Sequence, residues 1–214
     1  MAVFHSLDFT IAVQLLFNLS HWLFNMISST ILPPQFETER LILKPLSWDD
    51  LPYYEQYFID YEVIRHLSAA VPWPYPKDGV STYLQRILAQ QGEGLWSWGI
   101  HRKTFQNHLI GVIELFSPGR PENRGFWLGK QFWGLGYMTE AVHPVIEFAF
   151  SELGFNELIF SNAKGNERSR RIKEKTGALF YKTQKAEFVD RQYHESELWK
   201  LDQPTWIRHQ RRIN

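Results

Sequence analysis

The stretch from Gly125 to Tyr137, GFWLGKQFWGLGY, constrains this chain more than any other. It reads as a short strand running into a glycine-bearing turn, and a helix begins directly after it at Met138-Thr139-Glu140-Ala141. Gly134 and Gly136 lack a Cβ, so the backbone there can take unusual dihedrals and lie close to a ligand. The first N–H groups of a helix have no partner within it, and that end carries partial positive charge. Strand, glycine turn and helix N-terminus in this order make either an anion site or an ordinary corner of a mixed fold.

The rest of the chain reads as one domain with an appendage. It has 214 residues, 44% hydrophobic and 21% charged, a globular composition that supports a sizeable core. Lys plus Arg equals Asp plus Glu at 23 each, so no surplus positive charge points to nucleic acid, and direct DNA binding is not expected. There is no cysteine, which excludes disulfides, thiolate metal sites and a cysteine nucleophile. The histidines show no His-x-x-x-His spacing with a partner acid, so no metal is expected. No Gly-x-Ser-x-Gly elbow appears. The nine Trp, nine Tyr and sixteen Phe fill a core first and wall a ligand second.

Residues 1–36 differ from the rest of the chain, because no charged residue occurs from Phe9 to Phe36. The apolar run from Ile11 to Ile27 is long enough to cross a bilayer, but Gln14, Asn18, His21 and Asn25 oppose that. No Lys or Arg precedes the run, so it is a poor signal peptide, and a cytoplasmic protein is expected. Leu15, Leu19, Trp22, Leu23 and Met26 share a helical face. An amphipathic helix packed on the domain or a partner is therefore favoured over membrane association through residues 9–32 or a misassigned start. The remaining divisions are a domain over 37–204 and a short, solvated basic tail over 205–214.

Within the domain, Leu41 and Leu43 alternate in a strand, and Ser47 caps the helix that comes next. A second short helix is expected near Glu62 to Leu67. Val71-Pro-Trp-Pro-Tyr-Pro76 is a stiff extended loop, read equally as a surface connector or as an apolar wall of an acceptor pocket. A helix from Lys77 to Gln91 leads to a hairpin of Leu95–His101 and Leu109–Leu115, and Arg124–Gly129 pairs next. After the helix behind the glycine turn come a strand at 156–161, a helix over 167–176 capped by Asn166, and strands near 179–185 and 194–201. The fold class is mixed α/β: a central, mostly antiparallel twisted sheet with one parallel splayed pair, flanked by helices.

Three stretches together resemble the GNAT superfamily of acetyl-coenzyme A-dependent N-acetyltransferases. Thr38-Glu-Arg-Leu-Ile-Leu-Lys-Pro-Leu46 is similar to the first-strand opening of the branch that includes the RimJ and RimL ribosomal-protein acetylases. Gln131-Phe-Trp-Gly-Leu-Gly136 resembles the Gln/Arg-x-x-Gly-x-Gly/Ala pyrophosphate loop. Asn166-x-x-Ser169-x-x-Ile172-x-x-Lys175-x-Gly177 is similar to the second cofactor motif. The glycine turn is neither a nucleotide P-loop, since no Lys-Ser/Thr comes after it, nor a dinucleotide fingerprint, which needs a third glycine.

The resemblance implies a fold over residues 37 to 202 in which acetyl-coenzyme A enters between splayed strands. Phe126, Trp127 and Leu128 would line the thioester arm, with the Leu128 N–H aimed at the thioester oxygen. Gln131, Phe132, Trp133, Gly134, Leu135, Gly136 and Tyr137 would hold the pyrophosphate. Asn166 would touch the pantetheine and Arg171 the 3′-phosphate. Glu114 is the first candidate base and Glu122 the second, because the glutamate common just before the cofactor strand in this branch is replaced by Asn123. Ser169 is the candidate that protonates the leaving thiolate; the tyrosine many relatives use is replaced by Lys173. The implied acceptor is a primary amine, foremost a protein N-terminus such as that of a ribosomal protein. A small amine, a non-catalytic coenzyme A-binding module, and a homodimer stay open.

Overall fold

The structure, a computed structural model, describes residues 31–213. The expectations for residues 1–30 lie outside the described residues. Among those described, no helix is long and apolar enough to cross a membrane.

Strand β1 (Phe36–Glu37) pairs antiparallel with β2 (Leu41–Pro45). Phe36 packs 5.6 Å from the Trp98 ring, and the Trp98 indole donates to the Pro34 carbonyl at 2.7 Å. The folded domain therefore takes in residues just ahead of the expected start at 37. Ser47 caps the next turn: its N–H donates to Asp50 Oδ2 at 2.9 Å. Helices α1 (Leu51–Phe58), α2 (Tyr61–Ile64) and α3 (Gly79–Ala89) come next. Strands β3 (Leu95–Arg102), β4 (Phe105–Phe116) and β5 (Arg124–Leu128) form an antiparallel meander. Then come α4 (Tyr137–Ser151), β6 (Glu157–Ala163), α5 (Glu167–Lys175), β7 (Leu179–Lys185), β8 (Glu195–Asp202) and α6 (Gln203–Ile213).

The strands make two sheets, one ordered β1-β2-β3-β4-β5 and the other β6-β8-β7. Helix α4 covers one face of the larger sheet, burying Ala141, Val142, Val145 and Ala149 against Leu41, Leu43, Trp98 and Ile100. Helices α1 to α3 cover the other face with Tyr54, Phe58, Ile64, Val80 and Leu84. This two-sided cover is why β3 reads as a nearly continuous buried run instead of an alternating one.

The two sheets meet edge to edge at one point. Asn123 N–H donates to the Ile159 carbonyl, and Ile159 N–H donates to the Asn123 side-chain oxygen, both at 2.8 Å. Beyond that clasp, among the described residues, no ladder joins β5 to β6. The expected splayed pair is thus two facing sheet edges held together only at their start. Pro144 lies inside α4 without breaking it, and Gly154, at φ 66°, ends the turn behind that helix.

Two expectations are corrected. A solvated tail is expected over 205–214; residues 205–213 are instead part of helix α6, which docks on the domain. Trp206 is buried and its indole donates to Glu147 at 2.7 Å, while His209 lies against Gly177. Trp206 and His209 are three apart and share a face, leaving Arg208, Arg211 and Arg212 exposed. The Pro72–Pro76 loop is a connector: Tyr75 packs on Phe58 and under Gly79, and no residue of the loop lines the cleft between β5 and β6.

Candidate active site

A cleft of about 560 Å³ opens between β5 and β6, above the Asn123–Ile159 clasp. Its size suits a small-molecule ligand. It gathers most of the residues singled out in the sequence. Strand residues Phe126, Trp127 and Leu128 line it, as do Phe132, Trp133, Gly134, Gly136 and Tyr137 of the turn. Asn166, Ser169 and Arg171 close the far wall. Gln131, Leu135 and Glu114 are not in the lining.

The register of β4 and β5 decides what β5 offers the cleft. Gly129 N–H bonds to the Ile110 carbonyl, and Leu128 sits opposite Gly111. Alternation along an antiparallel ladder then turns the N–H and C=O of Leu128 and Phe126 away from β4, toward the cleft. The Leu128 carbonyl is taken by the Trp133 indole at 2.7 Å. The Leu128 N–H is left to face the cleft as a donor.

At the turn, Gly134 and Gly136 have φ of 76° and 82°, the left-handed region that a Cβ opposes. Open space surrounds the position a Gly134 Cβ would take. Gly136 is the N-cap of α4, and its carbonyl accepts from Glu140 N–H at 3.0 Å. The N–H groups of Tyr137, Met138 and Thr139 have no helical acceptor, and these three residues line the cleft. Cationic side chains stand nearby: Arg168, Arg171 and Lys175 line the same cleft, and Arg168 lies 4.1 Å from the Trp133 ring centre. Unpaired backbone donors, a helix N-terminus and three cations fit a polyanion such as a coenzyme pyrophosphate with its 3′-phosphate.

The turn is held from behind by residues whose role the sequence did not reveal. Arg40 donates to the Leu135 carbonyl at 2.9 Å and to Glu140 Oε2 at 2.7 Å. Glu140 Oε1 accepts the Arg40 N–H at 2.8 Å and the Thr38 hydroxyl. Thr38 and Arg40 lie in the turn between β1 and β2, so that turn grips the first turn of α4. A threonine and an arginine two apart, matched to an acid four residues after a glycine turn, is the signal that would have found this clamp. Leu135 itself contributes its carbonyl to the clamp and leaves its side chain exposed.

The two candidate bases part ways. Glu114 is buried behind the sheet, accepting from the Tyr83 hydroxyl at 2.7 Å and from Ser97 at 3.5 Å. Burial raises its carboxyl above the usual range, opposed by the Tyr83 bond. Gly125, which lines the cleft, is its neighbour: a Cβ there would sit 3.5 Å from Glu114 Oε2. Glu122 lines the cleft directly. Asn123 is unavailable as a base position because its side chain is spent on Ile159 and on the Ser117 carbonyl, 3.1 Å away.

On the far wall, Asn166 caps α5 by accepting from Ser169 N–H at 3.3 Å. Gly177, at φ 79°, comes just after its last turn. Val63, His66, Leu67 and Phe188 form the cleft's opposite, more apolar side, with carboxylates at Glu62 and Glu187.

Comparison with known proteins agrees with this geometry. Residues 40–179 match the acetyltransferase (GNAT) domain, and the chain belongs to that family. It is 31% identical over 106 residues to the putative ribosomal N-acetyltransferase YdaF of Bacillus subtilis, covering 48% of this chain and 58% of YdaF. The chain thus spans little more than half the length of that relative. It is 26% identical over 160 residues to an FsC-acetyl coenzyme A-N(2)-transacetylase of Aspergillus fumigatus, covering 70% of this chain and 67% of that one. A crystal structure of a putative acetyltransferase superposes with a TM-score of 0.69 at 26% identity, covering 86% and 93% of the two chains. A RimL ribosomal L7/L12 α-N-protein acetyltransferase bound to coenzyme A shares the fold, with a TM-score of 0.67 at 16% identity over 79% and 98%.

Proposed function

We propose that the protein transfers the acetyl group of acetyl-coenzyme A to a primary amine, foremost a protein N-terminal α-amine, by direct attack on the thioester. The observation that carries this is the cleft between β5 and β6. Outward-facing strand N–H groups, three unpaired helix N–H groups and a cationic rim line up along it. In this reading Tyr137 to Thr139 hold the pyrophosphate, and Arg171 the 3′-phosphate. Phe126 and Leu128 hydrogen-bond the pantetheine arm. The Leu128 N–H stabilises charge as it develops on the thioester oxygen.

The acceptor comes in over Val63, His66, Leu67 and Phe188. Glu122, in the cleft wall, takes the amine proton; Glu114 is a reserve that reaches the cleft only through a water at Gly125. One carboxylate is modest help, and an α-amine, with a reference pKa of about 7.7–8.0, needs less of it than a lysine near 10.4. The likeness to YdaF favours a ribosomal protein as the source of that N-terminus. The N(2) acceptor named for the Aspergillus relative favours a second reading, in which the acceptor is a small amine.

A screen reading added acetyl mass decides between them. Peptides with free N-termini, the same peptides blocked at the N-terminus but carrying lysine, and small amines are each incubated with acetyl-coenzyme A. Acetylation confined to free α-amines supports the first reading, and acetylation confined to small amines supports the second. Absence of coenzyme A binding overturns both.

A further inference from the structure

Helix α5 buries a lysine where its packing calls for an apolar side chain. Lys173 is 1% exposed and lies 5.7 Å from the Phe126 ring centre. Its Nζ donates to Ser169 Oγ at 2.8 Å and to the Ser169 carbonyl at 3.4 Å. Ser169 lines the cleft, and its backbone N–H is already committed to Asn166. The serine hydroxyl thus stands between the cleft and a sealed amine. Burying an amine without an ion-pair partner is costly, and a buried lysine beside a ligand cleft is a candidate functional group.

Resting on the acetyl-transfer reading, we propose that Ser169 and Lys173 form a proton relay to the departing coenzyme thiolate, with Lys173 as a positioning residue acting through Ser169. An N–H bond of the Lys173 ammonium breaks while an O–H bond forms at Ser169. The serine's own O–H breaks while an S–H bond forms on the thiolate, so neutral lysine and free thiol result. The proton lost by the attacking amine restores the ammonium through solvent.

The surroundings of Lys173 favour giving the proton up. Burial lowers its pKa well below the ordinary lysine value, and Arg124 of β5 lowers it further. Glu122, before β5, and Glu197 of β8 act in the opposite direction, and burial outweighs them. Arg124 is itself buried without a hydrogen-bond partner among the described residues, lies 3.9 Å from the Phe160 ring centre, and is lowered by burial to about 9. Glu197 is partly engaged by Asn162 at 2.9 Å. The ammonium form is the donor, so the relay is active below the lowered pKa of Lys173 and fails as pH rises through it.

The test uses the full chain with Lys173→Met, Ser169→Ala and the double variant. Coenzyme A binding is measured by calorimetry. Thiol release from acetyl-coenzyme A is measured against pH, with a free-amine peptide or water as acceptor. The expected result is unchanged coenzyme A affinity in Lys173→Met, a fall in kcat of about 100-fold at the low-pH side for each single variant, and loss of the wild-type alkaline decline. The double variant should be no slower than either single one, because both residues serve one path. If either single variant keeps the wild-type rate and the wild-type pH profile, the relay is wrong. Ser169→Ala carries the test should Lys173→Met not fold. If wild-type protein binds no coenzyme A, the acetyl-transfer reading fails first, which is a distinguishable result.

Discussion

The two sides of the cleft are built by different means. The side proposed for the donor is backbone: the free edge of β5, the glycine turn and the first turn of α4 form one contiguous stretch. The side proposed for the acceptor is assembled from α2 with the residues just after it and from the segment between β7 and β8. Those parts are zipped together by Ala69 N–H to the Glu187 carbonyl at 2.9 Å and Val189 N–H to the Leu67 carbonyl at 3.0 Å. The Arg65–Asp190 ion pair at 2.6 Å locks them. Backbone recognition needs glycines at fixed places and therefore leaves a local trace. A wall of side chains drawn from distant segments leaves none.

This contrast sets the expected sizes of perturbations. Gly136→Val should act most strongly, because it forces a β-branched residue to φ 82° with a Cβ 3.3 Å from Arg40 Nη2. A loss of coenzyme A affinity of more than about 100-fold is expected by calorimetry, equivalent to roughly 2.8 kcal/mol. Glu122→Gln should lower kcat by about 100-fold with coenzyme A affinity unchanged. Glu114→Gln should cost less than about 10-fold in the same assay, since it reaches the cleft only through water. A larger loss at Glu114 than at Glu122 would reverse the assignment of the base.

Smaller effects sharpen the same comparison. Phe188→Ala should raise the acceptor KM by about tenfold, roughly 1.4 kcal/mol of apolar contact, with coenzyme A binding untouched. Arg40→Ala should do the opposite, weakening coenzyme A by about threefold to tenfold through the loosened turn and sparing the acceptor KM. Lys173→Met should be stabilising, by roughly 1 kcal/mol or 2–4 °C in Tm. Linkage gives the sign of its pH dependence. With its folded pKa lowered, Lys173 binds fewer protons folded than unfolded, so wild-type stability rises with pH from that lowered pKa up to about 10.4. The substitution removes this slope, which thermal melts across that range would record.

Most of the framework was legible in the sequence because local chemistry wrote it. Asn166 and Gly177 bracket α5, Ser47 caps the turn before α1, and the polar run over 102–108 between two apolar runs marks the hairpin, although the turn itself is shorter. Helix α6 was not legible: its apolar contacts, Trp206 and His209, are few, and basic residues around them resemble a solvated tail. The Arg40–Glu140 clamp was hidden because it joins residues 100 apart. The places of the two candidate bases were not legible, for a geometric reason. Register alone puts Glu114 beside the cofactor strand, opposite Gly125, but strand pleating turns its side chain to the face covered by Tyr83. Glu122 enters the cleft because Asn123, beside it, is drawn to β6.

Everything proposed for the donor side requires coenzyme A to lie along the free edge of β5 and to end on the first turn of α4. Residue-resolved amide hydrogen exchange, with and without saturating coenzyme A, tests this most directly. The expected result is new protection at Phe126, Leu128 and Tyr137 to Thr139, with little change at Val63 to Leu67. Saturation that leaves those five amides exchanging as before would contradict it.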